Sequence, residues 1–75
     1  MIAANLDSSN LERAGYEDKS HKLFLRFKSG VSYAYEGVMR EVFDALLLAE
    51  SHGQYFHRYI RSQFRYERLN FDPFL

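Results

Sequence analysis

Four arginines near the C-terminus, Arg58, Arg61, Arg65 and Arg68, follow one another at spacings of three, four and three. A guanidinium is planar, always charged, and able to grip a phosphate bidentately or to stack on a base. If residues 55–68 formed one continuous helix, the four groups would lie within an arc of about 80°, opposite Phe56, Ile60 and Phe64. A helix ending near Ser62 would still leave Arg58 and Arg61 on one outer face. Hydration and the dipole of a helix C-terminus favour such bases with no ligand at all. Further back, Arg26 and Lys28 belong to one segment, and Tyr33 and Tyr35 are two residues apart in the next. Two rings on one strand face, with guanidinium groups nearby, make a platform for unpaired bases, each stack contributing about 1–3 kcal/mol.

Other chemistry finds no support in the residue types. There is no cysteine, hence no disulfide framework, thiolate nucleophile or zinc ribbon. His52 and His57 are five apart, a spacing that does not share a helix face, and no carboxylate joins them in a ligand pattern, so no metal is expected. None of the serines sits in a glycine-flanked nucleophile elbow. The four glycines are scattered singly, so no phosphate-cradling loop forms and no cofactor is expected. Glu41 and Asp44 are neighbours on a candidate helix, as surface carboxylates commonly are. A chain of 75 residues has little room for a water-excluding active site. The expectation is a binding module and not an enzyme.

The net charge of zero is a cancellation. Residues 1–21 carry Arg13 and Lys19 against Asp7, Glu12, Glu17 and Asp18, net −2. Residues 22–36 carry Lys22, Arg26 and Lys28 against Glu36, net +2. Residues 37–51 carry Arg40 against Glu41, Asp44 and Glu50, net −2. Residues 52–69 carry the four arginines against Glu67, net +3, and Asp72 closes the balance. The chain is basic only locally, whereas nucleic-acid domains are commonly basic as a whole.

The elements that must position these residues follow from pattern. A domain this small buries only about 60% of its unfolded surface and has no staple here. Seven Phe and six Tyr are therefore assigned first to the core. Residues 1–8 are expected to be a flexible N-terminal segment. Leu11 to Tyr16 is a short strand in which Gly15 permits a bulge. Glu17–His21 is a polar turn. Leu23, Leu25 and Phe27 alternate with Phe24, Arg26 and Lys28, a half-buried strand. Ser29-Gly30 is a two-residue turn, and Val31, Tyr33 and Tyr35 alternate in a third strand. Val31 on the tyrosine face argues that both rings are core or half-buried.

After Gly37 the period changes to that of a helix, with Val38, Val42, Leu46 and Ala49 on one stripe beside Met39, Phe43 and Leu47. Leu48 falls among the polar residues and should be exposed. Gln54 to about Ser62 is a second helix buried through Phe56 and Ile60. Phe64–Leu69 alternates again, as a short strand or an extended tail. Residues 70–75, broken by Pro73, form a C-terminal tail that frays or docks loosely. The fold class expected is α+β: a three-stranded antiparallel meander followed by two helices packed on one face, with a possible short C-terminal strand. The longest apolar run, Ala45–Ala49, is far short of the roughly 20 residues that span a bilayer. No signal-peptide pattern opens the chain, so no membrane contact and a cytoplasmic location are expected.

Taken in order, several stretches resemble the KTSC domain, a module named for its occurrence at the C-terminus of some lysyl-tRNA synthetases and also found as free-standing bacterial and phage proteins. They are Ser9-Asn10-Leu11, Ala14-Gly15-Tyr16, Leu23 to Gly30, and Tyr33-Ala34-Tyr35, which is similar to the family's signature. Val42 to Ser51, Gly53 to Phe56, Ile60-Arg61 and Tyr66 to Leu69 complete the set, so the resemblance covers residues 9–69. Met39 stands where the family often has Pro, and Leu48 where it often has Asn. The resemblance implies a single domain and a suspected role in RNA binding.

Two functions fit these residues. One is RNA binding, to tRNA or to a single strand, through Arg26, Lys28, Tyr33, Tyr35, Arg58, Arg61, Arg65 and Arg68. The other is docking on a protein partner through exposed apolar anchors: Leu48, Phe24 on the outer sheet face, and Phe71–Leu75. Tyrosines and arginines on one exposed face would favour nucleic acid; buried tyrosines with clustered exposed apolar residues would favour protein.

Overall fold

A computed structural model describes residues 1–75. Its elements are β1 (Ile2–Asn5), β2 (Leu11–Glu17), β3 (Lys22–Phe27), β4 (Ser32–Tyr35), α1 (Arg40–Leu48), α2 (His52–Tyr59) and β5 (Tyr66–Leu69). The strands form one antiparallel sheet in the order β1-β2-β3-β4-β5. The expected α+β class, the meander, the two helices and the short last strand are all present. The sheet has two strands beyond the expected three. One is β5, which makes a strand of the last four residues of the alternating Phe64–Leu69 segment. The other is β1, in a segment expected to be flexible. Its residues are mostly exposed and carry little apolar pattern, so its ladder to β2, from Ile2↔Tyr16 to Asn5↔Arg13, is what holds it. Leu6 extends that ladder by donating its N–H to the Glu12 carbonyl at 2.9 Å.

The strand alternation sorts the side chains onto two faces. Ala14 and Tyr16 of β2, Leu23 and Leu25 of β3, and Tyr35 of β4 point to the inner face, where the helices bring Phe43, Leu46, Phe56 and Ile60. Tyr16 joins sheet to helix in two ways. Its ring stacks on Phe43 with centroids 5.4 Å apart. Its hydroxyl donates to the Val38 carbonyl at 2.6 Å in a buried contact. That bond satisfies a backbone oxygen just ahead of α1 that water cannot reach.

Local details depart from expectation for identifiable reasons. The irregularity in β2 lies at Glu12, between Leu11 and Arg13, and not at Gly15. The β3–β4 turn is longer than two residues. Phe27 N–H donates to Val31 C=O, Gly30 N–H donates to Phe27 C=O, and Gly30 takes φ +96°. This is the three-residue loop with glycine in the left-handed position. The second helix starts and ends earlier than its apolar stripe suggests. Ser51 caps it by accepting the Gln54 N–H at 3.2 Å, and Ile60 leaves helical geometry at φ −121°. His52 Nδ1 lies 2.8 Å from the Leu46 carbonyl, so it donates and closes the end of α1. Leu48 is 86% exposed, as expected. No helix is long and apolar enough to cross a membrane.

Tyr16→Phe keeps the ring stack but strands the Val38 carbonyl. Chemical denaturation should show a loss of about 1–3 kcal/mol in unfolding free energy with an unchanged denaturant slope. A negligible loss would mean that the hydroxyl does not hold α1 to the sheet.

Candidate nucleic-acid interface

At the β4–β5 end of the inner face the helices do not close over the sheet. A groove of about 700 Å³ remains, with Phe27, Tyr33, Tyr35, Phe56 and Tyr66 as its aromatic surface and Asn10, Ser29, His57, Arg61 and Ser62 as its polar rim. The rings form a continuous network. Tyr33 meets Phe27 edge-on at 5.7 Å and Tyr66 edge-on at 5.8 Å. Tyr35 lies 5.8 Å from Tyr66 and 5.9 Å from Phe56, and Phe27 lies 5.5 Å from Phe56. Four of these contacts are edge-to-face and the Tyr35–Tyr66 pair is tilted at 37°, so each ring is held by its neighbours. Tyr35 is the buried base of the network, Tyr33 is half-buried, and Tyr66 is 58% exposed.

Strand register explains how residues distant in the chain meet here. Leu25↔Tyr33 and Tyr35↔Tyr66 are cross-strand pairs, so β3, β4 and β5 project onto one face. On the rim, Arg61 Nη1 lies 3.4 Å from His57 Nδ1. A guanidinium has only hydrogens to give, so Arg61 is the donor in this contact. Burial pushes the Tyr35 phenol pKa well up; Tyr33 and Tyr66 add to this and Arg61 opposes it. The guanidinium is thus electrostatically coupled to the aromatic base of the groove.

Of the residues expected to form a surface, Tyr33, Tyr35 and Arg61 line the groove together. Arg68 is paired with Tyr33 across β4–β5, on the same face, and is exposed. The others are elsewhere. Arg58 lines a separate depression with Glu50, Tyr55 and Tyr59. Arg65 is exposed in the segment leading to β5, where its carbonyl accepts the Glu36 N–H at 2.9 Å. Lys28 sits in the hairpin loop beside the rim, its N–H bonded to the Asn10 carbonyl at 2.8 Å. Arg26 is on the outer face, paired with Glu12 at 3.3 Å and Asp72 at 3.0 Å. The single arc of four arginines does not form, because the helix that would carry it stops at Tyr59.

Phe27, Phe56 and His57 belong to the groove but were not expected in it. Phe27 and Phe56 carried only a core signal, and His57 was weighed only as a metal ligand. No three His, Asp or Glu side chains converge where a metal ion could be held.

The sheet order, the helix pair inserted before the last strand, and the cysteine-free aromatic core define a small α+β domain. The chain belongs to the KTSC domain family, which matches residues 7–64. It is 43% identical over 60 residues to a protein of Tsukamurella paurometabola, covering 80% of this chain and 90% of that one. It is 41% identical over 71 residues to a protein of Stutzerimonas stutzeri, covering 93% of this chain and all of that one. A lysine–tRNA ligase of Nostoc sp. is 41% identical over 64 residues, 85% of this chain but 11% of the ligase. The crystal structure of a KTSC domain protein from Yersinia pestis superposes with a TM-score of 0.84 at 25% identity, covering 89% of this chain and 94% of that one.

The buried Tyr35 phenol makes an expectation about alkaline stability. A phenol held above its unfolded value binds its proton more tightly in the folded chain. Its contribution is therefore intact below about pH 10 and is lost as the pH climbs from there toward the folded value. Tyr35→Phe removes the ionisable group. The melting temperature of the variant relative to the parent should rise between about pH 8 and about pH 11. A difference that stays constant over that range would show that Tyr35 is not held protonated by the fold.

Proposed function

We propose that this domain is a non-catalytic module that binds unpaired RNA, its bases stacking in the aromatic groove and its backbone meeting Arg61 and Arg68. The observation that carries the proposal is the pairing of a half-exposed ring, Tyr66, and a half-buried one, Tyr33, with the Arg61 guanidinium on the rim of one groove. Stacking tolerates any base, and it needs rings already fixed by their neighbours, as the edge-to-face contacts here provide. The groove's volume suits one or two nucleotides better than a duplex, whose bases are already stacked on each other. Asn10, Ser29 and Ser62 supply neutral hydrogen-bonding groups along the rim that can meet base edges or a ribose hydroxyl. The lysine–tRNA ligases that share this region act, by their name, on a tRNA. That association is the further support for RNA over DNA, and the cytoplasm is where such a module would work.

Only two or three bases, Arg61, Arg68 and the nearby Lys28, flank the groove, so the electrostatic part of the affinity is modest. Affinity for a single strand should fall with salt at a slope of about −0.7 for each phosphate neutralised, which sets a shallow dependence.

The test is a salt series of binding to tRNA and to a short single-stranded RNA, with amide shifts mapped by NMR. Shifts should centre on Tyr33, Arg61 and Tyr66. Tyr66→Ala should cost about 1–3 kcal/mol of affinity, and Arg61→Glu should abolish binding at low salt while circular dichroism shows the fold intact. Unchanged affinity in Arg61→Glu, or shifts that avoid the groove, would overturn the proposal.

A further inference from the structure

The outer face of the sheet, opposite the groove, is occupied by the chain's own tail. Asp72 Oδ2 accepts from Arg26 Nη1 at 3.0 Å in a half-buried contact. Asp72 Oδ1 accepts the Phe74 N–H at 2.9 Å, which turns the tail at Pro73 and presents the Phe74 ring to the sheet. That ring lies under the Arg13 guanidinium, 5.1 Å from its centroid. It also fills the space over Gly15, where a Cβ would lie 2.7 Å from Phe74 Cε1 and closer still to Met1 Sδ. Gly15 is thus what lets the ring settle on the strand.

Two features bear on what this face can hold besides the tail. First, Arg13 and Arg26 are direct cross-strand neighbours, two like charges side by side on one face. Such a pair is unfavourable without anions, and only Arg26 has carboxylates, Glu12 and Asp72. Second, Arg13 Nε is buried with no hydrogen-bond partner. The tail offers Arg13 a ring and no carboxylate, so it leaves that nitrogen unpaired.

We infer that the outer sheet face is a docking site for a segment of a partner protein that carries a carboxylate two residues before an aromatic ring, and that Asp72–Phe74 occupies it as a displaceable internal competitor. Charge complementarity selects this occupant. Arg26 takes the acid, Arg13 and Gly15 take the ring, and a further acid in the partner would satisfy Arg13 Nε and displace the tail. The site shares no side chain with the RNA groove, so the two proposals stand or fall separately.

The test uses the full chain with Asp72→Ala and Phe74→Ala together, which frees the face while keeping every sheet residue. The probe is a blocked peptide with the sequence of residues 70–75, followed by amide shifts. The double variant should bind it with shifts at Arg13, Gly15 and Arg26, and the parent chain should bind about tenfold more weakly because its own tail competes. Replacing the aspartate of the peptide by asparagine should weaken binding by about tenfold, the loss of one charge-assisted contact. No binding by a folded double variant, or equal binding by variant and parent, overturns the inference. Shifts in the Tyr33–Tyr66 groove instead of the outer face overturn it as well. A parent chain that sediments as a dimer and loses that dimer on Phe74→Ala overturns the assignment to a partner in favour of a second copy. Should the double variant not fold, Asp72→Asn alone must still bind the peptide more tightly than the parent, and equal affinities there are equally decisive.

Discussion

Two short helices have to cover one face of a five-stranded sheet. With nine and eight residues they are each about 13 Å long, against a sheet roughly 19 Å across. They come from one continuous segment between β4 and β5, so they cannot be spread apart to reach both edges. Tyr16 settles where they sit. It stacks on Phe43 and binds the carbonyl before α1, which fixes α1 to β2, while α2 reaches β3 and β4 through Phe56. Beyond Tyr35, which Phe56 covers, the inner face of β4 and β5 is left to side chains of the sheet itself. Tyrosine and phenylalanine are suited to that task, since each ring covers a large area and a phenol tolerates a wet edge. The aromatic groove is the uncovered remainder of an incompletely covered sheet.

The same shortage acts on the other face, which no helix covers. There the chain uses its own ends. Met1 and Phe74 lie against Gly15, and Asp72 neutralises Arg26. In a chain this small the apolar area available per residue is limited, and a few contacts of this kind count for a large share of the net stability. The tail therefore contributes to folding even where it also serves as a competitor. The Arg26–Asp72 pair is half-buried and so contributes more than a fully exposed pair would, while remaining open enough to exchange.

What could be seen in the sequence was whatever one element decides by itself. The alternation of Leu23, Leu25 and Phe27 is imposed by a single buried face and appears as expected; of the helical stripe Val42 and Leu46 appear on α1, Val38 is buried ahead of the helix, and Leu48 is exposed. Tyr33 and Tyr35 were placed as core or half-buried for the same reason, because Val31 shares their face. What could not be seen depended on two elements meeting. β1 exists only as a partner of β2 and has no apolar pattern to announce it. The arginine arc failed because helix α2 ends where Ile60 packs into the core, a tertiary event that spacing cannot report. Phe27 and Phe56 carried a core signal that was correct as far as it went. Their second role arises only because β5 and α2 stop short of each other around them.

Residue parity along the strands carries the division between the two surfaces. In β3 the odd residues Leu23, Leu25 and Phe27 face the helices and the even residues Phe24 and Arg26 face the tail. In β4 the odd tyrosines face the groove and the even Ser32 and Ala34 face out, and in β5 Tyr66 and Arg68 face in while Glu67 and Leu69 face out. A slip of one residue would exchange the faces and destroy both surfaces together. Strands of four residues hold register weakly on their own ladder bonds. Here the register is pinned from outside the ladder: at β2 by the Tyr16 hydroxyl on Val38, at β3 by Asp72 on Arg26, and at the β3–β4 loop by the left-handed Gly30. Two of those pins are side-chain contacts made from opposite faces of the sheet. The face that carries the tail therefore supports the register on which the aromatic groove depends, even though the two share no residue.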